Sequence, residues 1–163
     1  MATRVVCTPF SAEFPSAAFP QLLQTNRRPA LAYDASTDET AYWTFIAPQG
    51  LTGALTLVVT YAMASATSGT VGFQAQVEAI SDGDTVDTDS ATSFDTVNNS
   101  ASTTVPGTAG YIDQISITLT NADSIASGDL VRLSLNRDAD GSAITDSATG
   151  DCYVLAVELR DAA

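Results

Sequence analysis

Residues 55–80 read LTLVVTYAMASATSGTVGFQAQVEAI, and this stretch decides the fold class. Leu55, Leu57, Val59, Tyr61 and Met63 recur at every second position, and so do Val71, Phe73, Ala75, Val77 and Ala79. Successive side chains of a strand point to opposite faces, so a period of two gives each run one apolar face. Between the runs, Ser65–Gly69 supplies the small and polar residues that a turn needs. The stretch therefore predicts two strands joined by a turn, with one face of each directed at a core.

The same pattern extends in both directions. Trp43, Phe45 and Ala47 alternate with Thr44 and Ile46, and Ile115, Ile117 and Leu119 with Ser116 and Thr118. Val131, Leu133 and Leu135 alternate with Arg132, Ser134 and Asn136, and Tyr153, Leu155, Val157 and Leu159 with Val154, Ala156, Glu158 and Arg160. Turn chemistry separates the runs at Pro48-Gln49-Gly50, Ser81-Asp82-Gly83-Asp84, Pro106-Gly107, Gly128-Asp129 and Asp140-Gly141. Short additional strands are expected near Ser93–Val97 and Thr103–Val105. No segment carries a useful stripe of period 3.6. Regular short strands between such turns predict an all-β, antiparallel sandwich of about eight strands, the number of a jelly roll. Val58 between Leu57 and Val59, and Ala156 between Leu155 and Val157, make some strands apolar on both faces, as in a sheet covered on both sides.

Residues 1–40 differ from the rest. Four of the six prolines lie there, at 9, 15, 20 and 29, with Phe10, Phe14 and Phe19 beside them. Proline removes a donor and interrupts helices and central strands. The expected organisation is an extended N-terminal arm over 1–40, with one helical turn around Gln21–Gln24, and a sandwich domain over 41–163. Phe10, Phe14, Phe19, Leu22 and Leu23 are the candidate interface residues of that arm. An extended segment cannot bury its own rings, so they dock either on the parent sandwich or on a partner.

Composition bounds the function. The chain of 163 residues has a formal net charge of -13; its six basic residues are all arginine, and it has no lysine or histidine. Nucleic acids and anionic membranes both require clustered positive charge, so neither is an expected partner. Missing histidine removes the commonest general base and metal ligand, and missing lysine removes Schiff-base and phosphate-loop chemistry. The expectation is a protein that is not an enzyme and has no cofactor. Cys7 and Cys152 are read as two unpaired thiols. No apolar run has the length of a signal peptide or a membrane span, so a soluble protein made in a cytoplasm is expected.

Two acidic loops carry the only metal-like spacing. Asp82, Asp84, Asp87 and Asp89 form one. Asn136, Asp138 and Asp140, followed by Gly141 and Asp146, form the other, a candidate weak cation loop with oxygen ligands at alternate positions. Ser147 stands where a calcium loop has its bidentate glutamate, and Asp146 lies one place early. The plainer reading is an Asp-Gly turn with solvated carboxylates, and no metal is assigned. Arg132 alternates outward on its strand, whereas Arg137, beside Asp138, Asp140 and Asp151, suits a bidentate ion pair pinning that turn. Tyr42 and Trp43 could form a sugar-stacking platform, but Trp43 shares the face of Phe45 and is expected in the core.

Residues 61–84 (YAMASATSGTVGFQAQVEAISDGD), 110–141 (GYIDQISITLTNADSIASGDLVRLSLNRDADG) and 149–161 (TGDCYVLAVELRD) together resemble small jelly-roll virion proteins of tailed bacteriophages. The resemblance is one of pattern and spans roughly residues 40–161. It implies a structural virion protein of the capsid decoration (cement) type. Such a protein would be a homotrimer bound to the major capsid protein on the outer surface of the virion. The alternative is a tail or head-fibre component with a host-receptor or carbohydrate-binding role, and a carbohydrate-binding module is a third possibility.

Overall fold

A computed structural model describes residues 1–90 and 92–162. The twelve strands are β1 (Ala2–Cys7), β2 (Gln21–Thr25), β3 (Arg28–Tyr33), β4 (Glu39–Ile46), β5 (Leu55–Met63), β6 (Thr70–Val71), β7 (Phe73–Ile80), β8 (Asn98–Asn99), β9 (Thr103–Thr104), β10 (Ile112–Leu119), β11 (Leu130–Arg137) and β12 (Cys152–Asp161). The only helical element among the described residues is a 3-10 turn at Pro9–Ser11. No helix of the described residues is long and apolar enough to cross a membrane.

All pairings are antiparallel. The larger sheet runs β10-β5-β12-β3-β2, with β1 also paired to β12; the smaller runs β4-β11-β7-β8, and β6-β9 forms a short ribbon. All six alternating runs of the sequence are strands. The two sheets pack as a sandwich, and the alternate residues converge as expected. Leu57, Val59, Tyr61, Ile115, Ile117, Val157 and Leu159 line the inside of the larger sheet, and Trp43, Phe73, Val77, Leu133 and Leu135 that of the smaller. Tyr33 on β3 meets Phe73 on β7 edge-to-face across the core, with ring centroids 5.6 Å apart, within the range such pairs prefer. The Tyr33 hydroxyl donates to the Leu135 carbonyl at 3.2 Å, so this buried phenol is satisfied by the opposite sheet. Val58, on the outer face of β5, is also buried, in line with its apolar neighbours in sequence.

The first forty residues depart from the expected arm. β1 pairs with the second half of β12, from Ala2↔Asp161 to Cys7↔Val157, and β3 pairs with its first half, Cys152↔Tyr33 to Val154↔Leu31. The boundary expected at residue 40 falls inside β4. The helical turn expected at Gln21–Gln24 is strand β2, joined to β3 by a two-residue turn at Asn26 and Arg27. Both turn residues are left-handed (φ 46° and 66°), the hairpin geometry that matches strand twist. Pro29 sits opposite Gln24 without costing a ladder bond there, because alternate residues of an antiparallel pair do not exchange N–H groups. In the loop before β8, the strand expected at Ser93–Val97 is displaced to Asn98–Asn99, and that at Thr103–Val105 is found as β9.

Candidate functional site

Three places collect the side chains singled out by the sequence. The first is the loop after β11. Arg137 is fully buried and spends its whole guanidinium. Its Nε and Nη2 donate to the two carboxylate oxygens of Asp146, both at 2.9 Å. The remaining donors reach the carbonyls of Asp34 (3.0 Å), Gly150 (2.9 Å), Ala148 (3.1 Å) and Tyr33 (3.4 Å). A bidentate pair is present as expected in kind, but its partner is Asp146 rather than Asp138, Asp140 or Asp151, and it fastens residues 138–150 to the end of β3. Asp138 is also buried and accepts from the Ser142 hydroxyl and the Ala143 and Ile144 amides.

The candidate cation loop is therefore dispersed. Asp146 faces Arg137, and Asn136 donates from Nδ2 to Thr40 Oγ1 on the outer face of the smaller sheet. Asp138 and Asp140 converge instead with Asp38, their carboxylate oxygens within 4.8 Å of one another. These are the groups that could hold a cation, yet Asp38 accepts the Asp140 amide at 3.0 Å and Asp140 accepts that of Ser142 at 2.9 Å. Their oxygens serve backbone donors, which is the work of a turn.

The second place is the Pro-rich segment between β1 and β2. It is tied to β4 by reciprocal hydrogen bonds between Glu13 and Tyr42 (2.8 and 2.9 Å) and by the Thr40 amide donating to Ala18 (2.9 Å). Trp43 Nε1 donates to the Thr8 carbonyl at 3.0 Å, adding an anchor from the core. The backbone is thus fixed on the parent sandwich while several rings face outward. Phe10 is 65% exposed, Phe14 39%, Phe19 41% and Leu22 46%; Leu23 is half-buried. Phe14 and Phe19 pack on each other, centroids 5.5 Å apart.

The third place is on the outer face of the smaller sheet, and it was not legible as a site. Arg132 projects outward as expected. Its guanidinium carbon lies 4.4 Å from the Tyr42 ring centroid, and Tyr42 stacks on Phe94 (5.8 Å, 26° between planes). Arg132 is in register with Thr44 on β4 and Glu78 on β7, and Leu130 with Ile46 and Ile80. Thr44, Glu78, Ile80, Leu130 and Arg132 floor a groove of about 310 Å³, with Glu13 and Thr88 as walls. Glu13 and Phe94 come from segments distant in sequence, so no spacing rule could have joined them to Arg132. The signal present was Tyr42 and Arg132 each facing outward on their strands.

Both thiols are buried and free, and burial pushes the pKa of Cys7 and of Cys152 up to about 12. At the edge where β1 meets β12, Arg4 Nε lies 2.8 Å from Asp161, whose carboxylate also accepts the Thr52 amide at 3.1 Å. The Arg4 guanidinium beside it is the chief reason the Asp161 carboxyl is held below its ordinary range. Glu158 is lowered too, first by the hydroxyl of Thr3 and then by Arg160. The chain matches no family model and no curated protein.

Proposed function

We propose that the chain is a structural virion protein, a capsid decoration subunit that self-associates as a trimer and seats on the outer shell across joints between major capsid proteins. The observation that carries this reading is the trio Phe10, Phe14 and Phe19, exposed on a segment whose backbone is clamped to β4, with Leu22 exposed on the adjoining β2. Rigid exposed aromatic side chains lose little entropy on docking, and such residues are the usual energetic centres of protein interfaces. A chain without histidine or lysine lacks the usual means of catalysis, which favours a binding role over an enzymatic one.

The jelly-roll assignment is supported by strand order. The cores of the two sheets run β3-β12-β5-β10 and β4-β11-β7-β8. Successive strands are dealt alternately to the two sheets, with β7 and β8 as the exception, as expected when a long double ribbon wraps into a sandwich. β1 and β2 extend that frame at the edges of the larger sheet.

Counting copies in purified virions by quantitative mass spectrometry tests the reading. Abundance comparable to the major capsid protein is the expected result; a handful of copies places the chain in a tail or fibre, and absence from virions refutes the proposal. Light scattering is expected to give a trimer, and a monomer throughout the micromolar range removes the self-association. Replacing Phe10, Phe14 and Phe19 by alanine leaves the sandwich folded and weakens shell binding by ~2 kcal/mol or more, roughly thirtyfold in Kd.

A further inference from the structure

We infer that the groove around Arg132 is a binding site for a neutral saccharide, recognised through a pair of adjacent hydroxyl groups. The argument begins with the state of the arginine. Its guanidinium is positioned by stacking on Tyr42, with Phe94 behind (5.9 Å to the centroid). Its nearest carboxylate oxygen, on Glu13, is 3.8 Å from Nε, too far for a hydrogen bond, and Nε is buried without a partner among the described residues. A planar donor fork is held in place by rings, and its donors are not spent on the protein.

The surroundings select the ligand. Glu78 is buried beside Arg132 and is steadied through one oxygen, Oε1, which accepts both the amide and the hydroxyl of Ser93. Glu13 faces the same space from the clamped segment, and Thr44 and Thr88 add hydroxyls. The groove thus offers donors and acceptors side by side. An anionic ligand meets two carboxylates and a chain of net charge -13. A cationic one meets the guanidinium at the centre of the floor. A neutral molecule that both donates and accepts avoids both penalties. Vicinal hydroxyls match the pieces, because two adjacent oxygens can accept from the arginine fork while their hydrogens go to a carboxylate. Leu130 and Ile80, which also line the groove, supply apolar surface for the C–H face of a pyranose, and Leu130 is 39% exposed. A volume of about 310 Å³ is at the small end of ligand pockets, enough for one or two sugar rings.

The test is an amide-resolved NMR titration of the whole chain with the methyl glycosides of glucose, galactose, mannose and N-acetylglucosamine, with glucuronate as the charged comparison. At least one neutral glycoside is expected to shift the amides of Thr44, Glu78, Leu130 and Arg132 saturably in the millimolar range, and glucuronate is expected to bind several-fold more weakly. Arg132→Gln and Arg132→Lys each lower affinity about tenfold or more, the lysine variant because it keeps the charge and loses the fork. Retention of the β-sheet circular dichroism spectrum and melting temperature shows that those variants are folded. The inference is overturned if no neutral glycoside shifts these amides, if glucuronate binds best, or if a folded Arg132→Lys variant binds unchanged. The proposed shell attachment is read separately, from virion copy number and from the Phe10, Phe14 and Phe19 variants, so either reading can fail without the other.

Discussion

Replacing Arg137 by methionine removes the group that holds residues 138–150 on the sandwich. The side chain has no exposure and makes two charge-assisted bonds to Asp146 and three bonds of 3.1 Å or less to the carbonyls of Asp34, Ala148 and Gly150. Removing one member of a buried ion pair costs about 3–5 kcal/mol, because the other is left charged and unpaired. Each carbonyl left without a donor adds on the order of 1 kcal/mol unless water reaches it. The sum, roughly 5 kcal/mol or more, is comparable with the whole stability of a small domain. Arg137→Met is therefore expected to be unfolded or to melt at least 10 °C lower, at roughly 2–4 °C per kcal/mol for a chain of this size. Asp146→Asn keeps the shape and one acceptor and is expected to cost about 2 kcal/mol. Pairing Arg137→Met with Asp146→Leu should recover part of the loss but not all, since the carbonyls remain orphaned. Calorimetry or urea unfolding of the parent, Arg137→Met, Asp146→Leu and the double variant closes this cycle, with Asp146→Asn measured beside it. An Arg137→Met protein that melts within 2 °C of the parent would refute the reasoning.

Acid should loosen the β1–β12 seam first. Asp161 and Glu158 are held below the ordinary carboxylate range, so their contribution is complete above about pH 4–5 and is lost as pH falls through their lower folded values. Arg4→Ala should flatten the acid limb of a stability–pH curve, and an unchanged limb would contradict the assignment. Neither thiol should react with an aromatic disulfide reagent at pH 8 until denaturant is added, since both are buried with pKa values near 12; prompt labelling of the native protein would count against that burial. Gly72→Ala should destabilise by about 1–3 kcal/mol, because its Cβ would overlap the Ile144 side chain from the pinned loop; urea titration reads it directly. Calcium and EDTA should leave the melting temperature unchanged, as the loop carboxylates already accept backbone and arginine donors; a calcium-reversible drop of many degrees would show otherwise.

The alternation of period two was enough to place the central strands and their inward faces, because burial on one face leaves its mark directly on a strand. Trp43 inside and Arg132 outside follow from that mark alone. The first forty residues defeated it for physical reasons. β1 and β2 lie at the margins of the larger sheet, where burial on either face is incomplete and alternation is blurred. The β2–β3 turn uses Asn26-Arg27 rather than a glycine, so the usual punctuation is missing. Pro29 argues against a strand until one sees that its nitrogen faces away from the β2 ladder. The salt bridge at Arg137 was legible as a type but not by partner. Asp146 becomes its partner through the path of a loop, and only the three-dimensional fold sets that path. The groove at Arg132 depends on Glu13 and Phe94 arriving from elsewhere in the chain, which no local pattern records.

β12 lies in the interior of the larger sheet, with β5 along one side and β1 and β3 sharing the other. β12 follows every other strand of this sheet in sequence, so its neighbours are made before the strand on which they must assemble. Until it appears, β5 lacks one hydrogen-bonding neighbour, and β1, made first, has no strand to pair with in this sheet. Closure of the Ala2↔Asp161 ladder joins strands far apart in sequence, so the decisive step of folding waits for β12 and is slow. During that wait the nascent chain exposes unpaired, apolar strand edges, which makes it a natural client for chaperones and prone to pair with a neighbour's β12 when many copies are made at once.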